Sequence, residues 1–440
     1  MTFENIKTIL LTILVFLSIS LTWRIWTYQP HYDTMENPKM VPGVSISDQK
    51  EIKEIIKPDQ IYYHINDAHY GTLQMNEVDR IIREISRWNF ERFEDVSNQI
   101  GDLSDFIYEK GKAQIVFPER IPMEIYKNIL GIKDKDAFGI AFDQIIIDLN
   151  NITKENGYVY FVSIEKQEAY RFRVNASFIL NFQEDYFLKA STNRNFALYT
   201  LENLSEERRI LVRTDPITMY AYNYLLDLIP TTQFRDALFR NPSFVQRNST
   251  GYSEEYKDSS TLLSVNYETN TILYVNPAQE KDVTANSSNL LQRSIDFVNG
   301  HGGWTGNYHY VGLDEIENTV LFRLYDISGY PIFNNNGMSE ILQIWGQTGI
   351  YQYLRNNFSL DRRVESTEVQ LMSGVGILEI LKAREDIEPE FLQEIAIGYE
   401  MTKVAGDPLI HLEPSWYYKY KDQWWNVKAG DEGGMDFGLE

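Results

Sequence analysis

The chain has 440 residues, with 63 acidic and 41 basic side chains, a net charge of −22 and a pI near 4.8. That balance excludes a nucleic-acid role, which needs a basic face, and argues against adsorption to anionic lipid. Cysteine is absent, which excludes disulfides, thiol catalysis and thiolate metal sites together, while 43% hydrophobic and 14% aromatic residues describe a folded chain.

The first element is the uncharged run Thr8–Trp23, flanked by Lys7 and Arg24. Its 16 residues fall just short of the roughly 17–25 that cross a hydrocarbon core. The long stems of both cations can snorkel, which extends the usable span to Ile6–Trp26. Trp23, Trp26 and Tyr28 form an aromatic belt, and Pro30 stops the helix. A cleaved signal peptide would need a basic head and a small-residue cleavage site. Here Glu4 offsets Lys7, and Trp23, Arg24, Ile25 and Trp26 follow the run. The expectation is an uncleaved single-pass anchor over residues 1–30, a proline-bearing tether over 31–48, and residues 31–440 outside the cytoplasm.

Ser47 or Asp48 is a candidate cap for a short helix, Gln49–Ile56. A first domain over 49–185 follows. Gln60–Ile65 reads as a strand, and Asn76 is placed to cap a helix whose face carries Val78, Ile81, Ile82 and Ile85. Ala113–Phe117 predicts a strand, and Pro122 starts a helix that runs to Leu130. Ile140–Leu149, Val159–Glu165 and Glu168–Val174 predict three strands, the last two a hairpin around Lys166-Gln167. The order is α+β with an antiparallel end.

The second half carries a weak internal repeat, which predicts a central α+β domain over 186–285 and a C-terminal one over 286–440. Thr261–Val275 and Glu340–Leu354 each read as two alternating strands joined by a polar turn, and Pro408–Tyr420 as a looser third copy. Helix candidates precede them at Thr232–Phe239, Ser287–Val298 and Glu368–Lys382. A further strand candidate follows each helix, at Gly251–Tyr256, Val320–Tyr325 and Phe391–Met401. Trp345, Tyr351, Tyr353, Trp416 and Tyr418 are expected in antiparallel strands.

Chemistry-bearing motifs are missing. There is no phosphate loop, dinucleotide fingerprint, zinc-protease helix or nucleophile elbow. The histidines are His31, His64, His69, His301, His309 and His411. His64 in mid-strand and His69 in the following turn make a poor metal pair. His301 sits in a glycine-rich loop, but that loop follows a helix where a phosphate cradle precedes one. The carboxylate pairs Glu206-Glu207, Glu254-Glu255 and Asp314-Glu315 read as solvated turns. No catalytic residue, cofactor or metal ligand is assigned.

The stretch Glu4–Pro30, ENIKTILLTILVFLSISLTWRIWTYQP, and the C-terminal His411–Tyr420, HLEPSWYYKY, resemble the YycH family, and the resemblance extends over the whole chain. These are membrane-anchored accessory proteins of the YycG/YycF (WalK/WalR) two-component system. The resemblance implies one transmembrane helix and three extracytoplasmic domains, the last two alike, without enzymatic activity. It further implies a complex with a YycI-like membrane protein and the YycG (WalK) sensor histidine kinase, controlling cell-wall metabolism. At about 100° per residue, Thr8, Thr12, Ser18 and Thr22 share one arc of the anchor helix while Ser20 lies elsewhere. Small hydroxylated side chains let membrane helices approach closely, so this stripe is the candidate partner-binding surface. The alternative is an extracytoplasmic binding or chaperone-like module for wall-associated ligands that uses exposed Tyr and Trp. An enzyme acting on wall polymer would require a deep pocket with convergent carboxylates.

Overall fold

The computed structural model describes Leu11 and residues 14–18, 45–205, 208–279, 287–403 and 408–427. It divides into Met1–Lys39 and Met40–Glu440. In the first part, Leu11 and residues 14–18 are helical and their side chains are exposed. Among the described residues no helix is long and apolar enough to cross a membrane. Ser18 belongs to this helix, whereas Thr8, Thr12 and Thr22 lie outside the described residues.

The second part is built on three sheets. The first takes β1 (Gln60–Ile65), β2 (Ala68–Thr72), β3 (Glu91–Asp95), β4 (Lys112–Pro122), β5 (Ala141–Asp148), β6 (Asn156–Ser163), β7 (Glu168–Asn175), β8 (Ala197–Asn203) and β9 (Arg209–Arg213). Their order is β3-β7-β6-β5-β4-β1-β2-β8-β9, antiparallel throughout. One face is covered by the helices Met75–Ile85, Met123–Leu130 and Ala176–Phe182, which bury Val78, Ile81, Ile85, Tyr126, Ile179 and Phe182. The aromatic rings beneath them meet edge to face, with Phe142–Phe161 centroids 4.9 Å apart and Phe161–Phe172 5.2 Å apart. On the other face the short helix Leu103–Tyr108 packs Leu103 and Ile107 on Ile146, Tyr160 and Val162.

Next come β10 (Ile217–Leu228), β11 (Gln246–Ser249), β12 (Ser253–Lys257), β13 (Leu262–Asn266), β14 (Thr271–Val275), β15 (Tyr308–Asp314), β16 (Thr319–Leu324), β17 (Ile332–Phe333), β18 (Glu340–Trp345), β19 (Ile350–Asn356), β20 (Phe358–Leu371), β21 (Leu392–Lys403), β22 (Leu409–Tyr420) and β23 (Gln423–Asn426). The eight-stranded sheet has the order β11-β12-β13-β14-β19-β18-β16-β15. The two predicted hairpins are present as β13–β14 and β18–β19, and they lie back to back through the β14–β19 pairing. The third sheet has the order β17-β21-β22-β10-β20, with β23 on β22. Trp345, Tyr351, Tyr353, Trp416 and Tyr418 lie in antiparallel strands, as expected.

Several expectations need correction. Pro408–Tyr420 is not a hairpin: Leu409–Tyr420 is one strand, paired with β21 along its length. On its other edge β10 pairs Leu409–Leu412 and β23 pairs Tyr417–Tyr420, so Pro414 falls in the gap between them, where a residue without an N–H costs least. The helix expected over Glu368–Lys382 is confined to Gly374–Lys382, because residues up to Leu371 finish β20 opposite β10 and Ser373 caps the helix through the Gly376 amide, 3.1 Å away. Asn76 is not the cap of its helix; Gln74 holds that position, and Thr72 Oγ1 accepts from the Gln74 amide at 3.1 Å. The short helix is Ile52–Ile55, entered through a Glu51/Glu54 capping box and not through Ser47 or Asp48. The β4 strand is longer than Ala113–Phe117, with a bulge between Val116 and Ile121. His69 lies in a strand, not a turn. The expected boundaries at 185/186 and 285/286 both fall within sheets. The β8 and β9 strands beyond 186 complete the first sheet, and the 285/286 border runs between β14 and β15 of one sheet.

Alanine at Phe161, whose ring touches Phe90, Phe142 and Phe172, should lower unfolding free energy by ~3–5 kcal/mol in urea titrations, since it opens a cavity in a three-layer contact. Alanine at Ile316, 80% exposed, should change it by less than about 0.5 kcal/mol.

Candidate functional site: an N-terminal clamp and a three-sheet junction

The segment that arrives from the N-terminus is gripped by the loop after the helix Ser287–Gly300. The Ile46 amide donates to the His301 carbonyl at 3.0 Å. Lys50 and Asn299 exchange two bonds: the Lys50 amide donates to Asn299 Oδ1 at 2.9 Å, and Asn299 Nδ2 donates back to the Lys50 carbonyl at 3.0 Å. Lys50 Nζ reaches the Gly306 carbonyl at 2.7 Å, and Trp304 Nε1 also donates to Asn299 Oδ1, at 2.8 Å. Burial lowers the Lys50 pKa, against the pull of Glu54. Gly302 is required here: its φ is +59°, and a Cβ would stand 2.0 Å from the Ser47 carbonyl oxygen.

The same loop closes over a buried cation. Arg355 is fully buried on β19 and donates to the carbonyls of Gly303 and Asn356 and to Thr305 Oγ1, the last at 2.7 Å. Its charge is thus solvated by neutral dipoles. His301, in contact with Tyr353 OH at 3.2 Å, is pushed down to about 3 by burial and then by Arg355. The glycine-rich run around His301 is therefore a clamp on the Ile46–Lys50 segment and on a guanidinium.

A second constellation lies where the three sheets meet. Asp59, just before β1, is fixed by its amide to the Val116 carbonyl at 2.9 Å. Tyr325 OH donates to both Asp59 oxygens, at 3.1 and 3.0 Å. Gln60 Nε2 donates to Glu394 Oε1 on β21 at 3.0 Å, and Tyr62 OH donates to Gln60 Oε1, which fixes the orientation of that amide. Arg323 binds Glu340 through Nε at 3.2 Å and Nη2 at 2.7 Å, both side chains buried, and covers the Phe333 ring. Asp59, Gln60, Arg323, Tyr325 and Glu394 line a cavity of about 20 Å3, the size of one water molecule.

The remaining sequence candidates are dispersed. His64 and His69 stand opposite each other on β1 and β2 with Nδ1 atoms 2.7 Å apart. Gln114 Oε1, 3.3 Å from His64 Nε2, can only accept, so His64 is protonated on Nε2 and receives the His69 Nδ1 proton. Burial, then His69, pushes His64 down to about 3. Among the described residues no cluster of three or more His, Asp or Glu could hold a metal. Glu254 is not in a solvated turn; it is buried on β12 and accepts from Thr231 Oγ1 at 2.6 Å, Tyr267 OH at 2.8 Å, Tyr256 OH at 3.0 Å and Arg247. Burial alone would raise its pKa, but these donors hold it below the usual value. Asp314 does cap a turn, through the amides of Ile316 and Glu317, while His31 and Glu206-Glu207 lie outside the described residues. Neither the clamp nor the junction was found from the sequence. Each joins residues more than 240 positions apart, and no local pattern encodes such a pairing.

A groove of about 600 Å3 lies on the outer face of the first sheet, lined by Val96, Ile100, Asp102, Asp105, Phe106, Glu109, Tyr160 and Arg171. It is open to solvent.

Comparison with known proteins sets this architecture in a family. The model of the YycH protein N-terminal domain matches residues 4–189, and that of the YycH protein C-terminal domain matches residues 207–432. A protein of Bacillus subtilis (strain 168) described as the two-component system WalR/WalK regulatory protein YycH is 25% identical over an alignment of 435 positions that covers 94% of each chain. The crystal structure of YycH from Bacillus subtilis shares the fold, with a TM-score of 0.75 at 21% identity, over 88% of this chain and 99% of that one. The chain belongs to the YycH family.

Proposed function

We propose that this protein is a non-enzymatic accessory regulator of a WalR/WalK-type two-component system. It is held in the cell membrane by the anchor segment within residues 1–30, with the bulk of the chain extracytoplasmic. It acts on the sensor histidine kinase together with a YycI-like membrane protein. The relative's role as a WalR/WalK regulatory protein supports the system. The uncharged run Thr8–Trp23 supports the anchor.

The observation that carries the reading is the clamp. A regulator that reads or sets the position of a membrane helix needs a firm link from that helix to its folded body. The four hydrogen bonds from Ile46, Lys50 and Asn299 tie the chain leaving the N-terminal segment to a loop in the C-terminal half. A pull that reaches Ile46–Lys50 is thereby passed to the loop that leads into β15 of the eight-stranded sheet.

Replacing Asn299 by alanine removes both exchanged bonds, at ~1–3 kcal/mol. The variant should stay in the membrane at wild-type level while kinase output shifts. Unchanged output with normal protein level would sink the coupling. Recovery of the kinase and the YycI-like protein by crosslinking from membranes tests the partnership directly.

The hydroxyl stripe of the anchor is its proposed contact with a partner helix. Leucine at Thr8, Thr12, Ser18 and Thr22 should preserve insertion and reduce recovery of the complex, each contact contributing roughly 0.6–2 kcal/mol. Leucine at Ser20 is the control. Equal recovery from both variants would leave the helix as an anchor alone.

A further inference from the structure

We propose that the junction of the three sheets is a proton-sensitive latch, closed while Asp59 and Glu394 hold protons and loosened when they ionise. It goes beyond the function proposed above and depends on none of it.

The geometry comes first. Asp59 immediately precedes β1 of the N-terminal sheet, Glu394 lies on β21, Arg323 lies on β16 and Tyr325 immediately follows it. The two carboxyls line one small cavity, contributed from opposite sides of the junction. Each is held across it by one neutral donor, Tyr325 OH for Asp59 and Gln60 Nε2 for Glu394.

The surrounding charges do not compensate two carboxylates. Arg323 is committed to Glu340. Lys57 is paired with Asp79 at 2.8 Å. The ring of His309 stacks on Tyr325 at 4.2 Å, but burial and the charges of Lys57 and Lys50 hold it neutral. Lys419 on β22 attracts Glu394, and that attraction is outweighed by burial. Ionising both acids would therefore place two like charges around one small, poorly solvated cavity, with Lys419 opposite Glu394 as the nearby cation not already held by another carboxylate.

The titration agrees in direction. Burial first, then the charge of Glu394, pushes Asp59 up to about 8, and burial likewise raises Glu394. A carboxyl whose folded-state pKa is raised stabilises the closed form fully below its ordinary value near 4. That contribution is lost as pH rises toward 8, so the junction weakens with increasing pH. Asp143, pushed up to about 7 mainly by burial, adds a smaller slope of the same sign from the neighbouring part of the first sheet.

The cysteine-free chain permits a direct test. Ala396 is buried and lines the junction cavity. In the full-length protein in detergent micelles, Ala396→Cys should be labelled by a maleimide slowly at pH 6 and faster at pH 8.5. Rates are divided by those of Lys166→Cys on the exposed β6–β7 turn, which cancels thiol ionisation. A normalised rise of about tenfold or more is expected, since each unit of pKa displacement is worth a factor of ten. Adding Asp59→Asn and Glu394→Gln should keep the thiol protected at pH 8.5. Thermal melting of the chain without the cysteine gives an independent reading: the parent should lose melting temperature from pH 6 to 8.5, and the Asn/Gln pair should lose much less. A flat labelling ratio in the parent, or parallel loss in both backgrounds, overturns the latch.

Discussion

Long-range strand pairing is the constraint on which the rest of this structure depends. The β10 strand finds partners in β20 and β22, and β14 pairs with β19, so each C-terminal sheet is assembled from segments separated by many other elements. Closing such loops costs entropy before any contact is gained. With no cysteine to hold them, the return comes from burial alone. The aromatic and aliphatic core is accordingly continuous, running from Ile61 and Phe142 in the first sheet through Tyr353 and Phe322 to Ile397 and Tyr418. Neither C-terminal sheet can form from one half of the expected repeat.

That shared core dictates where polar groups are trapped. At the borders between sheets Arg323, Glu340 and Arg355 are buried with their partners, and Asp59 and Glu394 are partly buried beside them. Arg323 meets a carboxylate, and Arg355 is solvated by carbonyls and a hydroxyl. Both satisfy the requirement that buried polar groups be hydrogen-bonded. Asp59 and Glu394 meet it only with neutral donors, and this imbalance gives the border its dependence on protons.

Two of the three expected hairpins are present, β13–β14 and β18–β19, and the third is a single strand. The alternating hairpins β13–β14 and β18–β19 were legible because each buries one face. A second correspondence went unread. The long strands β10 and β20 each lead into a helix, Thr231–Leu238 and Gly374–Lys382, then into a 3-10 turn and a strand. Pro242-Ser243-Phe244-Val245-Gln246 and Pro389-Glu390-Phe391-Leu392-Gln393 mark the two turns with nearly the same residues. The strand β20 has no sequence signature, because Arg362 to Glu368 are exposed on both faces and show no alternation. The β2 strand, Ala68–Thr72, is short and rich in small or polar residues, and only its pairing with β1 and β8 identifies it.

By itself the sequence determined the charge balance, the absence of thiol chemistry, the uncharged N-terminal run, the α+β composition and the hairpins whose alternation is local. These follow from properties of single residues and their near neighbours. The tertiary structure alone decided which strands share a sheet, that His69 faces His64, that Glu254 is buried, and that the loop at His301 grips Lys50. It also decided which carboxyls lose their water. The grip on Lys50 and the surroundings of Asp59 and Glu394 are set by segments more than 240 residues away, and no short window of sequence contains both sides of such a contact.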